Sequence, residues 1–221
     1  DVHATDWPGS VEIPPGITHV IPPFDRDAKM IEVELLVEWY LPYLSGRPTD
    51  DAARQAFRSA WEAAFAQLGD EEGLLLRDYH SPNIIWRDAM SGRDRLGLID
   101  FQDAMIGPTA YDLASLAQDA RATVPAALER QLVQAYCTAR HRAGGFDETA
   151  FQRDYAIMAA QRTSKILGIF VRLDRRDGKP HYLKHLPRIR DYLGRVIGHP
   201  ALSPLRDCYE SLGILSGDAG R

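Results

Sequence analysis

Cysteine is scarce in this sequence, and its two cysteines do not indicate a disulfide or a metal site. Cys137 and Cys208 stand far apart, and neither belongs to a C-x-x-C pattern. Disulfide frameworks and structural zinc sites need paired or closely spaced cysteines. We therefore expect free thiols and a reducing environment.

Long apolar runs and an excess of basic residues are also missing. No run approaches the roughly 18 apolar residues of a transmembrane helix, and the first residues do not resemble a secretory signal. The net charge is -5, with acidic and basic residues interspersed. Proteins that bind nucleic acid through its phosphates need a basic surface. The sequence thus predicts a cytoplasmic protein, with neither a membrane nor a nucleic acid as its partner.

The composition is that of a folded chain. The 221 residues are 45% hydrophobic and 26% charged, which is enough for the core of one large domain or one lobe of a larger protein. Residues 1–24 are rich in Pro and Gly, which is typical of an irregular linker. We expect a folded segment upstream of this linker.

Hydrophobic periodicity predicts a mostly helical fold with a small β insertion. Three short apolar runs, 74–76, 84–86 and 96–99, are typical of strands. Helical periodicity begins at Asp27, and a second helix begins after Thr49, which we expect to cap it. Further helices are predicted near 110–120, 125–143, 148–172, 185–197 and 201–213. The predicted fold class is α+β, mainly α.

The polar residues that indicate chemistry stand next to the predicted strands. Asp78 and Asn83 form a D-x-x-x-x-N pattern after the first strand, and Asp100 follows the third strand in Ile99-Asp100-Phe101. Phosphoryl transfer from ATP needs a carboxylate near the acceptor hydroxyl and oxygen ligands for Mg²⁺. We predict that Asp78 orients and deprotonates the hydroxyl, and that Asn83 and Asp100 bind Mg²⁺.

The order of the predicted strands and polar residues makes the D-x-x-x-x-N pattern more specific. An Asp and an Asn in one loop usually form turns or caps. A strand before Asp78, a hairpin after Asn83 and a hydrophobic-Asp-Phe sequence at its end match the kinase signature. His80 is a poor ligand for Mg²⁺, which prefers oxygen, and we expect it to brace the loop.

These motifs resemble the aminoglycoside-phosphotransferase and choline-kinase superfamily, which has a protein-kinase-like fold. Asp78, His80, Asn83 and Asp100 match the superfamily's catalytic and metal loops. The segment Gly107–Ala114 is similar to its next conserved segment, and this resemblance implies that Asp112 supports the catalytic loop. Leu76 departs from the pattern, because the superfamily usually has His there, so one bracing hydrogen bond is expected to be absent.

Four stretches, which include the catalytic and metal motifs, resemble the cytosolic kinases that phosphorylate N-acetylmuramate and N-acetylglucosamine at the anomeric hydroxyl during peptidoglycan recycling. They are the segments 77–80, 100–104, 111–121 and 161–179. The first contains Arg77, which we assign to the support of the catalytic loop. The resemblance implies ATP and Mg²⁺ as cofactors and an amino sugar as the acceptor.

The resemblance also implies a domain organisation. Residues 1–24 would be the linker from a missing N-terminal nucleotide-binding lobe, residues 25–215 the C-terminal catalytic lobe, and residues 216–221 a tail. Such N-terminal lobes supply a strand Lys that pairs with the phosphates of ATP. We expect the chain alone to bind ATP poorly and to be inactive.

Other polar residues are weaker candidates for substrate binding. Gln102 and Asp103 directly follow Asp100 and are as well explained by turn formation. Arg162 and Lys165 belong to a basic segment that fits an anionic substrate group such as a lactyl carboxylate, although solvated basic faces and cations near helix ends are common.

Two alternatives remain open from the sequence. The acceptor could be an aminoglycoside or another small metabolite, and an aminoglycoside would favour an acidic cleft. The chain could instead be a non-catalytic pseudokinase or binding module. Asp78, Asn83 and Asp100 together favour the enzyme.

Overall fold

Helices make up most of the structure, a computed structural model that describes residues 2–215. Its short strands lie among longer helices, which confirms the prediction of a mainly helical α+β protein. The described chain divides into two compact units. The first unit contains the residues up to Asp25 and Asp70–Glu148, and the second contains Arg26–Gly69 and the described residues from Thr149 onward.

The predicted domain borders stay a prediction, and the predicted tail, residues 216–221, lies outside the described residues. The strands are β1 (Ser10–Ile13), β2 (Ile17–Val20), β3 (Glu72–Leu75), β4 (Ile84–Trp86), β5 (Leu96–Leu98) and β6 (Met105–Pro108). The helices are α1 (Arg26–Leu35), α2 (Leu41–Ser45), α3 (Asp51–Phe65), α4 (Ala110–Ala117), α5 (Ala126–Ala143), α6 (Glu148–Arg175), α7 (Leu186–Val196) and α8 (Ser203–Ser211). Within the described residues, none of these helices has both the length and the apolar character needed to cross a membrane.

The strands of the first unit form three antiparallel pairs, β1 with β2, β3 with β6, and β4 with β5. The β3–β6 pair is extended by the segment before α1, since the Phe24 N–H donates to the Ile106 carbonyl over 2.7 Å. The Phe24 ring meets Tyr111 edge to face, with 5.2 Å between the ring centroids. Phe24, Tyr111 and Leu75 are almost fully buried and anchor the start of the loop that carries Asp78.

The second unit has its core around aromatic residues and the long helix α6. Trp61 is fully buried, and its Nε1–H donates to the Tyr209 hydroxyl over 3.2 Å. The same hydroxyl lies 2.8 Å from the Ser164 hydroxyl of α6. Burial raises the pKa of Tyr209 far above its ordinary value, so this group stays protonated. The aromatic residues of α3 are therefore part of a packed core.

The stretch predicted as an irregular linker contains the β1–β2 hairpin. Its register pairs Ser10 with Val20 and Ile13 with Ile17, and Gly16 in the turn has a φ of 73°. The β-branched residues of this stretch favour extended strands, and they outweigh its prolines. The predicted irregular structure is wrong for residues 10–13 and 17–20.

Two local predictions also differ from the structure. Strand β6 was not predicted, because Met105–Pro108 contains Gly and Pro and shows no alternation. Helix α3 is capped by Asp50, whose carboxylate accepts the Ala53 N–H over 2.8 Å. The Thr49 hydroxyl instead donates to the Val37 carbonyl over 2.5 Å.

Both cysteines are free thiols in the structure. Burial raises the pKa of Cys137 to about 11, and the nearby carboxylate of Glu148 contributes to this rise. The Cys137 thiol is therefore protonated at neutral pH, and a protonated thiol is a poor nucleophile.

Candidate active site

The loop that carries Asp78 begins directly after β3 and is folded by its own backbone. The Asp78 N–H donates to the Leu76 carbonyl over 2.8 Å, and the His80 N–H donates to the Asp78 carbonyl over 3.0 Å. The Asn83 N–H closes a 3₁₀ turn onto the His80 carbonyl over 2.9 Å. Asp78 itself is exposed, so its carboxylate is accessible to a ligand.

The pairing of β4 with β5 brings Asn83 next to Asp100. Asn83 directly precedes β4, and the pairing of Ile84 with Leu98 places the end of β5 beside it. The Ile99 N–H extends this ladder to the Asn83 carbonyl over 3.1 Å. The side-chain amide of Asn83 then donates to the Asp100 carboxylate over 3.3 Å. Two loops that are separate in sequence thus meet through these two side chains.

Asn83 and Asp100 carry oxygen atoms of the kind that Mg²⁺ prefers. The amide nitrogen of Asn83 makes all the side-chain hydrogen bonds of this residue, to the Asp78 carbonyl (2.9 Å), His80 (3.5 Å) and Asp100. Its amide oxygen therefore has no protein partner within residues 2–215. Mg²⁺ is usually held by one or two protein oxygens together with substrate phosphates. In the described part of the chain, no cluster of three or more His, Cys, Asp or Glu residues provides a closed metal site.

Arg77 and Asp100 adopt a left-handed backbone conformation that side chains other than Gly seldom adopt. Their φ angles are 61° and 62°. Such residues cost on the order of 1 kcal/mol each and persist only where the surroundings hold them. The Arg77 carbonyl accepts the Ser115 hydroxyl over 3.2 Å, and the Arg77 guanidinium lies 5.9 Å from the centre of the Phe24 ring. Each of these two residues stands at the start of one of the two loops that meet at Asn83.

Asp112 holds the start of the loop through its backbone. This residue of α4 is 2% exposed, and its two carboxylate oxygens accept the Leu76 N–H over 2.7 Å and the Arg77 N–H over 3.0 Å. The His3 Nε2 lies 3.4 Å from the same carboxylate. Burial and then the charge of Asp112 raise the pKa of Tyr79 above its ordinary value. Asp112 contacts backbone N–H groups and is shielded from solvent, which is the environment of a positioning residue.

Asp119 is a second support that the sequence analysis did not assign. One of its oxygens accepts the Ser81 N–H over 2.8 Å and the Ser81 hydroxyl over 2.5 Å. Its other oxygen accepts the Arg121 N–H over 2.6 Å and the Ala122 N–H over 3.2 Å. Burial alone would raise the pKa of Asp119, but these hydrogen bonds outweigh burial and hold it below its ordinary value. A sequence signal existed, because a carboxylate just after a helix C-terminus is unfavourable for the helix dipole and so indicates another partner.

The weaker substrate candidates have different environments. The Gln102 amide donates to the Asp100 carboxylate over 2.8 Å, so Gln102 orients the predicted metal ligand. Asp103 is exposed in the same loop. Arg162 and Lys165 lie in α6 within the second unit, where Lys165 pairs with Glu32 over 2.6 Å. The first unit thus brings together the predicted catalytic, metal and support residues, together with Gln102 and Asp103.

The sequence matches the Phosphotransferase enzyme family (APH) over residues 14–146. This match covers more than half of the chain and contains both loops, so the chain belongs to this family. The resemblance that the catalytic and metal motifs predicted is confirmed.

Three relatives of the chain have names that describe a particular kind of kinase. The chain is 34% identical over 214 residues to the N-acetylmuramate/N-acetylglucosamine kinase of Caulobacter vibrioides. It is 36% identical over 206 residues to the kinase of that name from Neisseria meningitidis serogroup B, and 33% identical over 197 residues to the one from Pseudomonas putida. These alignments cover 95%, 90% and 87% of this chain and 56%, 59% and 57% of the relatives. The chain therefore spans little more than half the length of the relatives it matches.

Proposed function

We propose that this chain carries the catalytic lobe of an ATP-dependent kinase that phosphorylates a hydroxyl group of a small amino sugar. The observation that carries the proposal is the 3.3 Å hydrogen bond between Asn83 and Asp100. It joins the loop of the proposed base to the loop of the proposed metal ligand. The names of the relatives supply the favoured acceptors, N-acetylmuramate and N-acetylglucosamine.

Each residue of the proposed site has a definite role. The exposed carboxylate of Asp78 orients the acceptor hydroxyl and takes its proton. The amide oxygen of Asn83 and the carboxylate of Asp100 hold Mg²⁺. A bound Mg²⁺ bridges the phosphates of ATP and neutralises the charge that develops on them. Little covalent chemistry is required of the protein, so positioning accounts for most of the rate enhancement.

The support residues provide this positioning. Asp112 fixes the backbone at Leu76 and Arg77, and Asp119 fixes it at Ser81. These contacts lie on both sides of Asp78 and restrain its loop before any substrate binds. His80, which is 3.5 Å from the Asn83 amide, completes the brace. A loop that is already ordered loses less conformational entropy when the reacting groups align.

The assignment of substrate contacts is part of the proposal. Gln102 and Asp103 follow the metal ligand and are proposed to approach the acceptor. Arg162 and Lys165 are proposed to attract an anionic substrate group. We further propose that the protein acts in the cytoplasm. We also propose that this chain alone is inactive, because it spans little more than half the length of the kinases it matches.

ADP release by the complete gene product tests the substrate class. The assay supplies ATP and Mg²⁺ with N-acetylmuramate, N-acetylglucosamine, choline or kanamycin as the acceptor. We expect turnover with the two acetylated sugars and background ADP release with choline and kanamycin. Turnover only with choline or kanamycin would remove the amino-sugar assignment. Background ADP release with all four acceptors would contradict the proposed function.

A further inference from the structure

Arg162 is a buried cation without a partner in the described part of the chain. The residue lies in α6 and is 6% exposed, and its Nη1 atom is buried without a hydrogen bond. Among residues 2–215, no carboxylate forms an ion pair with it. A buried guanidinium without a partner is destabilising, because it loses its hydration and gains no compensating interaction. Buried charged groups are normally paired, so this exception requires an explanation.

The nearest residues of α6 differ from Arg162 in this respect. The Gln161 amide donates to one oxygen of Glu32 over 2.9 Å, and the Lys165 ammonium pairs with the other oxygen over 2.6 Å. Glu32 is 9% exposed and has both of its oxygens engaged by these neighbours. Glu32 therefore neutralises Lys165, and it does not compensate the charge of Arg162.

Helical geometry places a second cation beside Arg162. Residues that stand three apart in an α-helix lie on one face, so Lys165 is a neighbour of Arg162 on α6. Lys165 is paired with Glu32, so Arg162 is the cation of this face that has no carboxylate partner among residues 2–215. The planar guanidinium can donate two parallel hydrogen bonds to a carboxylate or a phosphate. An oxyanion is thus the ligand that matches both the charge and the geometry.

We propose that Arg162 anchors a binding site for the oxyanion of an acidic small molecule, either a carboxylate or a phosphate. Ligand binding supplies the hydrogen bonds that the protein itself does not provide. The unbound protein is correspondingly less stable than a variant with an apolar side chain of similar size at this position. This inference rests on the proposed role of Arg162 in substrate binding and identifies the recognised group as an oxyanion. It is tested by binding without nucleotide, so its failure can be told apart from a failure of phosphoryl transfer.

Calorimetric titration in the absence of nucleotide tests the proposal with the complete gene product. The probes are N-acetylmuramate, which carries a carboxylate, N-acetylglucosamine as its neutral match, and inorganic phosphate. We expect Arg162→Met to weaken the binding of an anionic probe by roughly tenfold or more, because a charge-assisted bidentate contact is lost. The affinity for N-acetylglucosamine should not change. An effect on N-acetylmuramate alone identifies a carboxylate site, and an effect on phosphate identifies a phosphate site.

Two further variants keep the test decisive. Arg175→Met removes the same charge from the same helix, at a side chain that is 61% exposed, and should leave anion binding unchanged. Arg162→Lys retains the charge but loses the planar fork, so it should also bind the anion more weakly, and it replaces Arg162→Met if that variant does not fold. Equal anion affinity of wild type and both Arg162 variants would overturn the proposal. A lower Tm of Arg162→Met without ligand, at unchanged anion affinity, would show that Arg162 is purely structural.

Discussion

At the scale of single residues, Asp100 combines an unusual backbone conformation with a position where the two loops meet. Because its φ is 62°, Asp100→Asn is the suitable variant, since Asn tolerates the left-handed conformation and removes only the charge. We expect the Mg²⁺ concentration for half-maximal ADP release to rise by roughly tenfold or more, because the proposed charged ligand of the metal is lost. Asp94→Asn, in the turn between β4 and β5, is the matched control. An unchanged Mg²⁺ titration for Asp100→Asn would remove this residue from the site.

Asp112 is expected to act on stability as well as on activity. Asp112→Ala leaves the buried N–H groups of Leu76 and Arg77 without their charged acceptor. We expect the free energy of unfolding to fall by about 3 kcal/mol, since two charge-assisted hydrogen bonds are lost. Asp112→Asn keeps one acceptor oxygen and should lose less. Urea unfolding measures both variants, and an unchanged midpoint for Asp112→Ala would show that these contacts do not brace the loop.

At the scale of secondary-structure elements, α6 packs so closely on α1 that glycine is required at one position. A Cβ at Gly168 would overlap the backbone carbonyl of Leu35 at the end of α1. A Cβ at Gly194, in α7, would meet no atom within 4 Å. We expect Gly168→Ala to destabilise the protein by about 1–3 kcal/mol through overpacking. Gly194→Ala should stabilise it by about 0.5–1 kcal/mol, because Ala loses less backbone entropy in a helix. The same sign for both variants in thermal unfolding would contradict this account of the packing.

The hydrogen bonds that Ser81 donates to Asp119, in the segment after α4, predict that Asp119 contributes to stability in a pH-dependent way. The pKa of Asp119 is lowered from 3.8 in the folded protein, so the folded state favours its ionised form. Its contribution is complete above the unfolded pKa and is lost as the pH falls below 3.8 through the folded pKa. Asp119→Asn should therefore have a lower urea midpoint than wild type at pH 7, and this gap should narrow below pH 3.8. A gap that is independent of pH would mean that the charge of Asp119 does not stabilise the loop.

At the scale of the whole molecule, the features with a strong local signal were predictable from the sequence. Helical periodicity placed α4 to α8 within a few residues, because apolar residues recur at helical spacing in these segments. The segments around Asp78 and Asp100 indicated the loops that the structure brings together through Asn83. Their approach could not be derived from spacing alone, because it depends on the register of β4 with β5.

Other features depend on contacts that are distant in sequence. Strand β6 has no alternating pattern of its own and is defined by its partners, β3 and the segment before α1. The role of Asp119 depends on Ser81, which lies 38 positions earlier in the chain. The left-handed backbone of Arg77 has no sequence signature, and that of Asp100 has only the modest preference of Asp for this conformation. The unpaired state of Arg162 likewise becomes visible only when every neighbour has been assigned its partner.

The most direct test of the central claim is to follow the phosphoryl group of ATP by ³¹P NMR in the complete gene product, with wild type and Asp78→Asn side by side. We expect wild type to form a phosphorylated N-acetylmuramate or N-acetylglucosamine. Asp78→Asn should form it roughly a hundred- to ten-thousand-fold more slowly, because the proposed general base is lost. Its Tm should be unchanged, because Asp78 is exposed. Equal rates for the two proteins, or release of inorganic phosphate with no sugar phosphate, would contradict the assignment of this chain as the catalytic part of a sugar kinase.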